Sequence, residues 1–519
     1  MSYSSSHASW VIEALALTFA TDAEGTLSHR LYMALRNWIV QGDLPQGCAL
    51  PSSRRLASTL GVGRNTVLAA VERLSAEGFV VSRPGAGLYV ARLDLHDAWP
   101  RDVDVAASLP SSEPTAIPYS NRGQQLLASC GAMDGQRRAF TPGMPAIDQF
   151  PRELWQRLLK RHQHRADDDV FGYATGGGHG PLREALCDYL RLSRSVRCHP
   201  HQILITQGAQ QAFELVTRLL ADPGDRAWVE DPGYAGAKAC FASSGLELTP
   251  VPVDDEGLKT DAADSAKPPR LIYATPSHQY PSGATMSMAR RLALLECARR
   301  HGAYIIEDDY DSEFRYTTPP LASLQGLAGG DPVIYVGTFS KVLYPGLRLG
   351  YLVLPEPLFD DFRRANARLH REGQYVAQAA LADFIKEGHF SRHVARMRRC
   401  YRERQACLRQ ALAPAVTAGL SLSSGQSGMH LVAHLDSVAQ EQQLIRRARQ
   451  AGITLSALSD HYLCASPKAG LVLGYAGSTP VQLEQAGSWL ATAWLAQRGG
   501  KPATTGSAAP SPTTKKGTP

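Results

Sequence analysis

No two cysteines stand in a C-x-x-C spacing. The nine present are scattered from Cys48 to Cys464, so neither a zinc site nor a disulfide framework is indicated, no metal is expected, and a reducing compartment is. No stretch approaches the roughly 20 apolar residues that a bilayer span requires. The first apolar run, Trp10 to Ala20, is broken by Glu13 and has no Lys or Arg ahead of it, unlike the basic start of a signal peptide. These absences predict a soluble, cytoplasmic protein with no membrane partner. There is no internal repeat and no strong excess of one charge: the net +6 over 519 residues does not by itself announce a nucleic-acid partner. What the chain does have is length, too much for one hydrophobic core, and an ordinary globular balance of 44% hydrophobic and 20% charged residues.

The basic excess is local. Residues 51–91 hold five Arg against two acids, within a helix-rich segment. Leu27, Leu31, Leu35 and Ile39 recur at helical spacing up to Gly42. Pro51-Ser52-Ser53 then opens a helix from Arg54 to Leu60, and Gly61-Val62-Gly63 turns into a third from Arg64 to Ala76. Two short helices joined by a glycine-bearing turn read as helix-turn-helix. Phe79-Val80-Val81 and Leu88-Tyr89-Val90 flank a turn-rich tip, the pattern of a wing. The expected organisation is a winged helix over 1–91, a Pro- and Ser-containing linker over 92–136 with a short helix near Gln124 to Ser129, a large domain over 137–498, and a disordered tail over 499–519. In the large domain, short apolar strands such as Ile203–Thr206, Tyr304–Glu307 and Val333–Val336 alternate with amphipathic helices. That predicts an α/β fold with a mostly parallel sheet covered on both faces.

The segments Leu50-Pro51-Ser52-Ser53-Arg54-Arg55-Leu56-Ala57 and Leu60-Gly61-Val62-Gly63-Arg64-Asn65-Thr66-Val67 resemble the DNA-binding domain of GntR-type regulators. Arg64, Asn65 and Thr66 begin the third helix, where a recognition helix meets base edges and phosphates in the major groove. The resemblance implies that Arg54 and the wing tip at Gly85 also approach double-stranded DNA, with Arg83 as a phosphate contact. The plainer reading is a small helical unit whose arginines are merely solvated.

In the large domain, Lys341 in Thr338-Phe339-Ser340-Lys341 follows an apolar strand, and Arg348 lies seven residues beyond it. A lysine there can condense with an aldehyde, while hydroxyls and a guanidinium neutralise a phosphate. Asp308 follows the strand Tyr304–Glu307 at the edge where open α/β sheets bind ligands. Thr206-Gln207-Gly208-Ala209-Gln210 opens a helix whose free N–H groups suit a phosphate. Together with Asp231-Pro232-Gly233-Tyr234, Pro276 to Gly283 and Glu307 to Tyr316, these segments resemble the MocR subfamily, in which a winged helix is fused to a fold-type I aminotransferase-like domain. The resemblance covers about residues 10–495. It implies pyridoxal 5′-phosphate (PLP) as cofactor and effector, Lys341 as the Schiff-base lysine and Asp308 as the partner of the ring nitrogen. It further implies Tyr310 at the ring's O3′, Tyr234 stacked on the ring, and Thr338, Ser340, Arg348, Ala209 and Gln210 on the phosphate. A homodimer is implied too, with Tyr173 reaching the phosphate from the other subunit unless it is a packed core aromatic.

The chain departs from an aminotransferase in three places. Tyr280 stands where the asparagine of N-P-T-G is usual, so the O3′ contact passes to His278 or is absent. Val472 and Gly236 stand where arginines hold substrate carboxylates, in transaminases and in the GABA-responsive member of the subfamily for Val472, and in that member for Gly236. A lost bidentate arginine costs on the order of 1.5–3 kcal/mol. The expectation is therefore a regulator that senses PLP and controls vitamin B6 synthesis or salvage. A working aminotransferase with an accessory DNA-binding domain, and a regulator responding to an amino compound such as GABA or taurine, stand as alternatives.

Overall fold

A computed structural model describes residues 25–84, 87–91, 119–129, 139–164, 172, 176–262, 268–316, 321–371 and 373–499. Gly85, Tyr173, the tail from 500 onward and most of the expected linker lie outside the described residues. The chain divides into two compact units, residues 1–117 and 118–519.

The first unit holds α1 (Leu27–Gln41), α2 (Ser53–Leu60), α3 (Arg64–Ala76) and the antiparallel pair β1 (Val80–Arg83) and β2 (Gly87–Val90). The Thr26 hydroxyl accepts from His29 N–H and that of Ser52 from Arg55 N–H, satisfying donors left free at the starts of α1 and α2. Leu31, Leu35 and Ile39 on α1 meet Leu56, Val67, Ala70 and Leu74 in one core, which Val80 and Val90 close from the wing. The segment before α2 joins the wing through a bridge between Ala49 and Tyr89, with Leu50 N–H donating to Leu88 C=O at 2.8 Å. The strands run further into the wing than the apolar residues alone mark, to Arg83 and from Gly87.

The second unit is built on an eight-stranded sheet. Its strands are β3 (Ile203–Thr206), β4 (Arg226–Asp231), β5 (Glu247–Asp254), β6 (Gly257–Leu258), β7 (Leu271–Ala274), β8 (Tyr304–Asp309), β9 (Val333–Thr338) and β10 (Gly350–Val353), ordered β3-β10-β9-β8-β7-β4-β5-β6. The central run from β9 to β5 is parallel, as the strand–helix alternation predicts. β10 departs from it, lying antiparallel between β3 and β9 so that Gly350 pairs with both Thr206 and Thr338. Alternation along the strands sends Val229, Tyr273, Ile306 and Ile334 into one core and Trp228, Ile272, Ile305 and Val333 into another on the opposite face. Helices such as Ala209–Leu220 on one face and Met288–His301 on the other bury runs that would otherwise be continuous hydrophobic surface.

A smaller antiparallel sheet follows: β11 (Ser421–Leu422), β12 (His430–His434), β13 (Ser456–Ala457) and β14 (Gly470–Gly474), ordered β11-β12-β14-β13. The long helices His389–Thr417 and Pro480–Gly499 pack along each other beside it. Helix Asn121–Ser129, inside the segment read as linker, packs against helix Ala235–Ser243. Among the described residues, no helix is long and apolar enough to cross a membrane.

Candidate functional site

Sheet topology gathers the site. The C-terminal ends of β3, β8 and β9 deliver Gln207–Gln210, Asp308–Asp311 and Thr338–Lys341 to one pocket of about 330 Å³, within the size range of small-molecule and cofactor sites. Ala209, Gln210, Tyr234, Asp308, Tyr310, Thr338, Ser340, Lys341 and Arg348 all line it.

The acidic run on β8 is not an exposed loop. The strand continues through Asp309, and its alternation separates the carboxylates. Glu307 turns away from the pocket to accept from Leu324 N–H at 2.8 Å and Gln325 N–H at 2.9 Å. Asp309 pairs with Arg194 at 3.1 Å and accepts from the Tyr335 phenol. Of these three strand carboxylates, Asp308 faces the pocket. Its Oδ2 accepts from the Tyr273 phenol at 2.6 Å, while its Oδ1 is buried with no hydrogen-bond partner among the described residues. Burial pushes the Asp308 carboxyl up to about 7, against the lowering effects of the Tyr273 bond and of Lys341. The oxygen left over is an acceptor waiting for a cationic N–H donor.

Burial also lowers the Lys341 amine from its ordinary value, with Asp311 and Asp308 opposing the shift. Gly143, in the left-handed region at φ 66°, leaves room at that amine: a Cβ there would stand 2.7 Å from Lys341 Nζ. At the other end of the pocket, helix Ala209–Leu220 begins after Gly208 with no side-chain cap, so its first N–H groups and its positive dipole end are available to an anion. Arg348, Ser340 and Thr338 line the same pocket, and Gly350 pairs with both Thr206, ahead of that helix, and Thr338. An acceptor for a ring N–H, a recessed amine and an anion cradle in one cavity fit pyridoxal phosphate.

Other residues occupy places the sequence did not assign. Tyr280 is an aromatic hub, edge-on to Tyr234, Tyr310, His430 and His461 at centroid distances of 5.1–6.1 Å. His278 does not line the pocket but stands behind it: its Nδ1 lies 2.9 Å from the Tyr310 hydroxyl and 3.0 Å from both carboxylate oxygens of Asp311. Burial, the neighbouring His278 and the nearby Lys341 push His430 down to about 3, so it is neutral at physiological pH. Tyr273 pairs with Ile306 in β8 and so shares a face with Asp308, a match that only the observed register reveals. Nothing in the sequence around His430 or Met429 signalled that they reach the pocket.

The places of the missing arginines are now explicit. A Cβ at Gly236 would meet Gln210 Nε2 at 2.5 Å and the Tyr234 hydroxyl at 2.6 Å, so any side chain there would have to displace two residues of the pocket. Val472 is fully buried with Val432, Leu458 and Tyr462 in a small apolar cluster.

In the first unit, Arg54, Arg64, Asn65 and Arg83 are exposed and Thr66 is half-buried. Arg64 Nε donates to Ser53 Oγ at 3.4 Å, and the Arg83 guanidinium lies 4.4 Å from the centre of the Tyr89 ring. Among the described residues, no group of His, Cys, Asp and Glu forms a metal site.

Comparison with known proteins places both units. Residues 146–487 match the family Aminotransferase class I and II, and residues 27–90 match Bacterial regulatory proteins, gntR family. The chain is 40% identical over 482 residues to "Probable rhizopine catabolism regulatory protein MocR" of Rhizobium meliloti, covering 92% of this chain and 96% of that protein. It is 30% identical over 447 residues to the pyridoxine biosynthesis transcriptional regulator PdxR of Corynebacterium glutamicum, covering 85% and 90%. Among solved structures, the α-aminoadipate aminotransferase LysN of Thermus thermophilus, complexed with N-(5′-phosphopyridoxyl)-L-leucine, matches with a TM-score of 0.64 and 27% identity over 73% of this chain and 96% of that one.

Proposed function

Because the chain belongs to the MocR-type branch of the GntR regulators, we propose that it is a transcription regulator whose operator binding answers to PLP held at Lys341. The cofactor of this domain is pyridoxal phosphate. The observation that carries the reading is the convergence, in one pocket, of the Lys341 amine, the unpartnered Asp308 Oδ1 and the uncapped start of helix Ala209–Leu220.

When bound, the group supplies an aldehyde carbon and a ring that withdraws electrons toward a protonated nitrogen. Asp308 Oδ1 accepts that N–H while Tyr273 fixes the carboxylate through Oδ2. The lowered basicity of Lys341 leaves more of its amine as the nucleophilic free base. Tyr310 would hold the O3′ end, Tyr234 would cover the ring, and Thr338, Ser340, Arg348 and the N–H groups of Ala209 and Gln210 would hold the phosphate. In a homodimer, Tyr173 of the partner subunit adds to that grip. In the first unit, Arg64, Asn65 and Thr66 meet base edges and phosphates in the major groove, Arg54 and Gly85 approach the operator, and Arg83 contacts a phosphate.

The finer reading is that PLP itself is the signal and that the genes controlled serve vitamin B6 synthesis or salvage. The buried Val472 and the crowded Gly236 support it, since an amino acid's carboxylate finds no arginine at either place. A second reading has an effector other than PLP itself, such as an amino compound, and one observation favours it: the 40% identical relative is named for rhizopine catabolism, not for pyridoxine biosynthesis. Under either reading the effector changes operator affinity only through a difference in its own affinity for the two states.

Footprinting on the operator with and without PLP, on the parent and on Lys341→Ala, tests the reading. The parent's protection should change with PLP and the variant's should not. An unchanged response in the variant overturns the covalent sensor. A response that appears only when an amine accompanies PLP decides for the second reading.

A further inference from the structure

A second cavity, of about 550 Å³, lies in the same unit and shares His430 with the cofactor pocket. Two buried polar side chains border it with functions unspent. Ser427 is 5% exposed and its hydroxyl makes no hydrogen bond among the described residues. His278 is 3% exposed; its Nδ1 is engaged toward the cofactor pocket, whereas its Nε2 makes no hydrogen bond among the described residues and lies 3.5 Å from where a Cβ of Gly283, a residue of the cavity wall, would sit. Ser424 and Gln426 add a hydroxyl and an amide from the same Ser- and Gly-rich turn. Asp255 and Lys468 stand exposed on the lining. Val432 and Tyr462 supply an apolar wall.

We propose that this cavity is a second ligand site, distinct from the cofactor pocket, that takes a small neutral polyhydroxylated molecule such as a cyclic polyol or sugar. Its buried part offers a hydroxyl and imidazole groups, each able to exchange hydrogen bonds with ligand hydroxyls, with an exposed hydroxyl and amide at the rim, and among the described residues no buried Lys or Arg lines it for a carboxylate or phosphate. The charged groups are solvated and of both signs, which suits peripheral hydroxyls better than a compact ion. The aromatic and aliphatic wall suits the C–H face of a ring.

The His278 ring connects the two pockets. Nδ1 is in reach of the Tyr310 hydroxyl and of Asp311, yet it offers either one hydrogen or one lone pair. With its hydrogen on Nδ1 the ring donates to Asp311 and cannot accept from Tyr310; with the hydrogen on Nε2 it accepts from Tyr310. A ligand hydroxyl that donates to Nε2 selects the first state and releases Tyr310, and one that accepts from Nε2 selects the second. Polyol binding thereby reaches the cofactor pocket by tautomer choice. This link, unlike the site itself, rests on the PLP reading above.

Titration calorimetry on the full chain, cofactor-free and PLP-loaded, with myo-inositol, sorbitol, glucose, glycine, β-alanine and inorganic phosphate separates the two claims. At least one polyol should bind both forms with one site per chain. Ser427→Val, and the exposed Ser424→Val should the first not fold, should weaken it roughly tenfold. In the loaded protein the polyol should shift the visible cofactor band, and His278→Gln should abolish that shift. Lys341→Ala should keep the polyol heat while losing the band, so failure of the PLP reading leaves the site's own test intact. Heat from none of the polyols, from glycine, β-alanine or phosphate alone, or undiminished polyol affinity in the serine variants overturns the site. Polyol heat with an unmoved band overturns the link.

Discussion

Asp308 shows how a single side chain changes role with its company. In the cofactor-free protein burial holds its carboxyl at about 7, above the ordinary range near 4. An acid raised by folding contributes stability that is full below its ordinary value and is lost as pH rises through the folded one. Asparagine has no such proton to lose. The melting temperature of cofactor-free Asp308→Asn should therefore gain on that of the parent by a few degrees between about pH 5 and pH 8, while the variant's PLP affinity falls at least tenfold for want of an anion at the ring nitrogen. A melting difference independent of pH would contradict the assignment. Gly143→Ala tests the amine side: a methyl carbon 2.7 Å from Lys341 Nζ must displace the lysine, so borohydride should fix much less pyridoxyl group on the variant than on the parent. Lys341, Asp308 and Arg348 were legible because each sits in a short run whose chemistry is hard to explain otherwise. Tyr273, Asp311 and His430 were not, because a phenol in an apolar strand or a lone histidine has a structural explanation ready until the fold sets it against a pocket.

At the level of elements, helices announced themselves through period and capping, and α1, α2 and α3 lie where Thr26, Ser52 and the glycine-bearing turns set them. The start of α3 is exposed, so Arg64→Ala should leave the unit folded while weakening operator binding about tenfold or more and relaxing preference at one base position, as read by fluorescence anisotropy on systematically altered operators. Equal losses on every sequence would make Arg64 a phosphate contact instead. The parallel centre of the large sheet was readable from strand–helix alternation. The antiparallel β10 and the sheet β11-β12-β14-β13 were not, since strands as short as Ser421–Leu422 and Ser456–Ala457 carry too few residues for a period to be counted. His430, which lines the cofactor pocket, comes from that second sheet, which is why its place in the site stayed out of sight.

For the whole molecule, the two units have separate hydrophobic cores. Calorimetry should resolve two unfolding transitions, and saturating PLP should raise the one belonging to the aminotransferase-like unit by several degrees, through binding to its native state alone. An equal rise in both would mean that the units unfold as one cooperative body. The position of β10 bears on how such a protein comes into being on the ribosome. Gly350 joins Thr206 to Thr338, so the anion cradle after β3 and the lysine after β9 are brought side by side only by a strand synthesised later than both. A nascent chain arrested before β10 emerges would own every residue that grips the vitamin and still be unable to hold it, which ties acquisition of the cofactor to a domain already translated and docked.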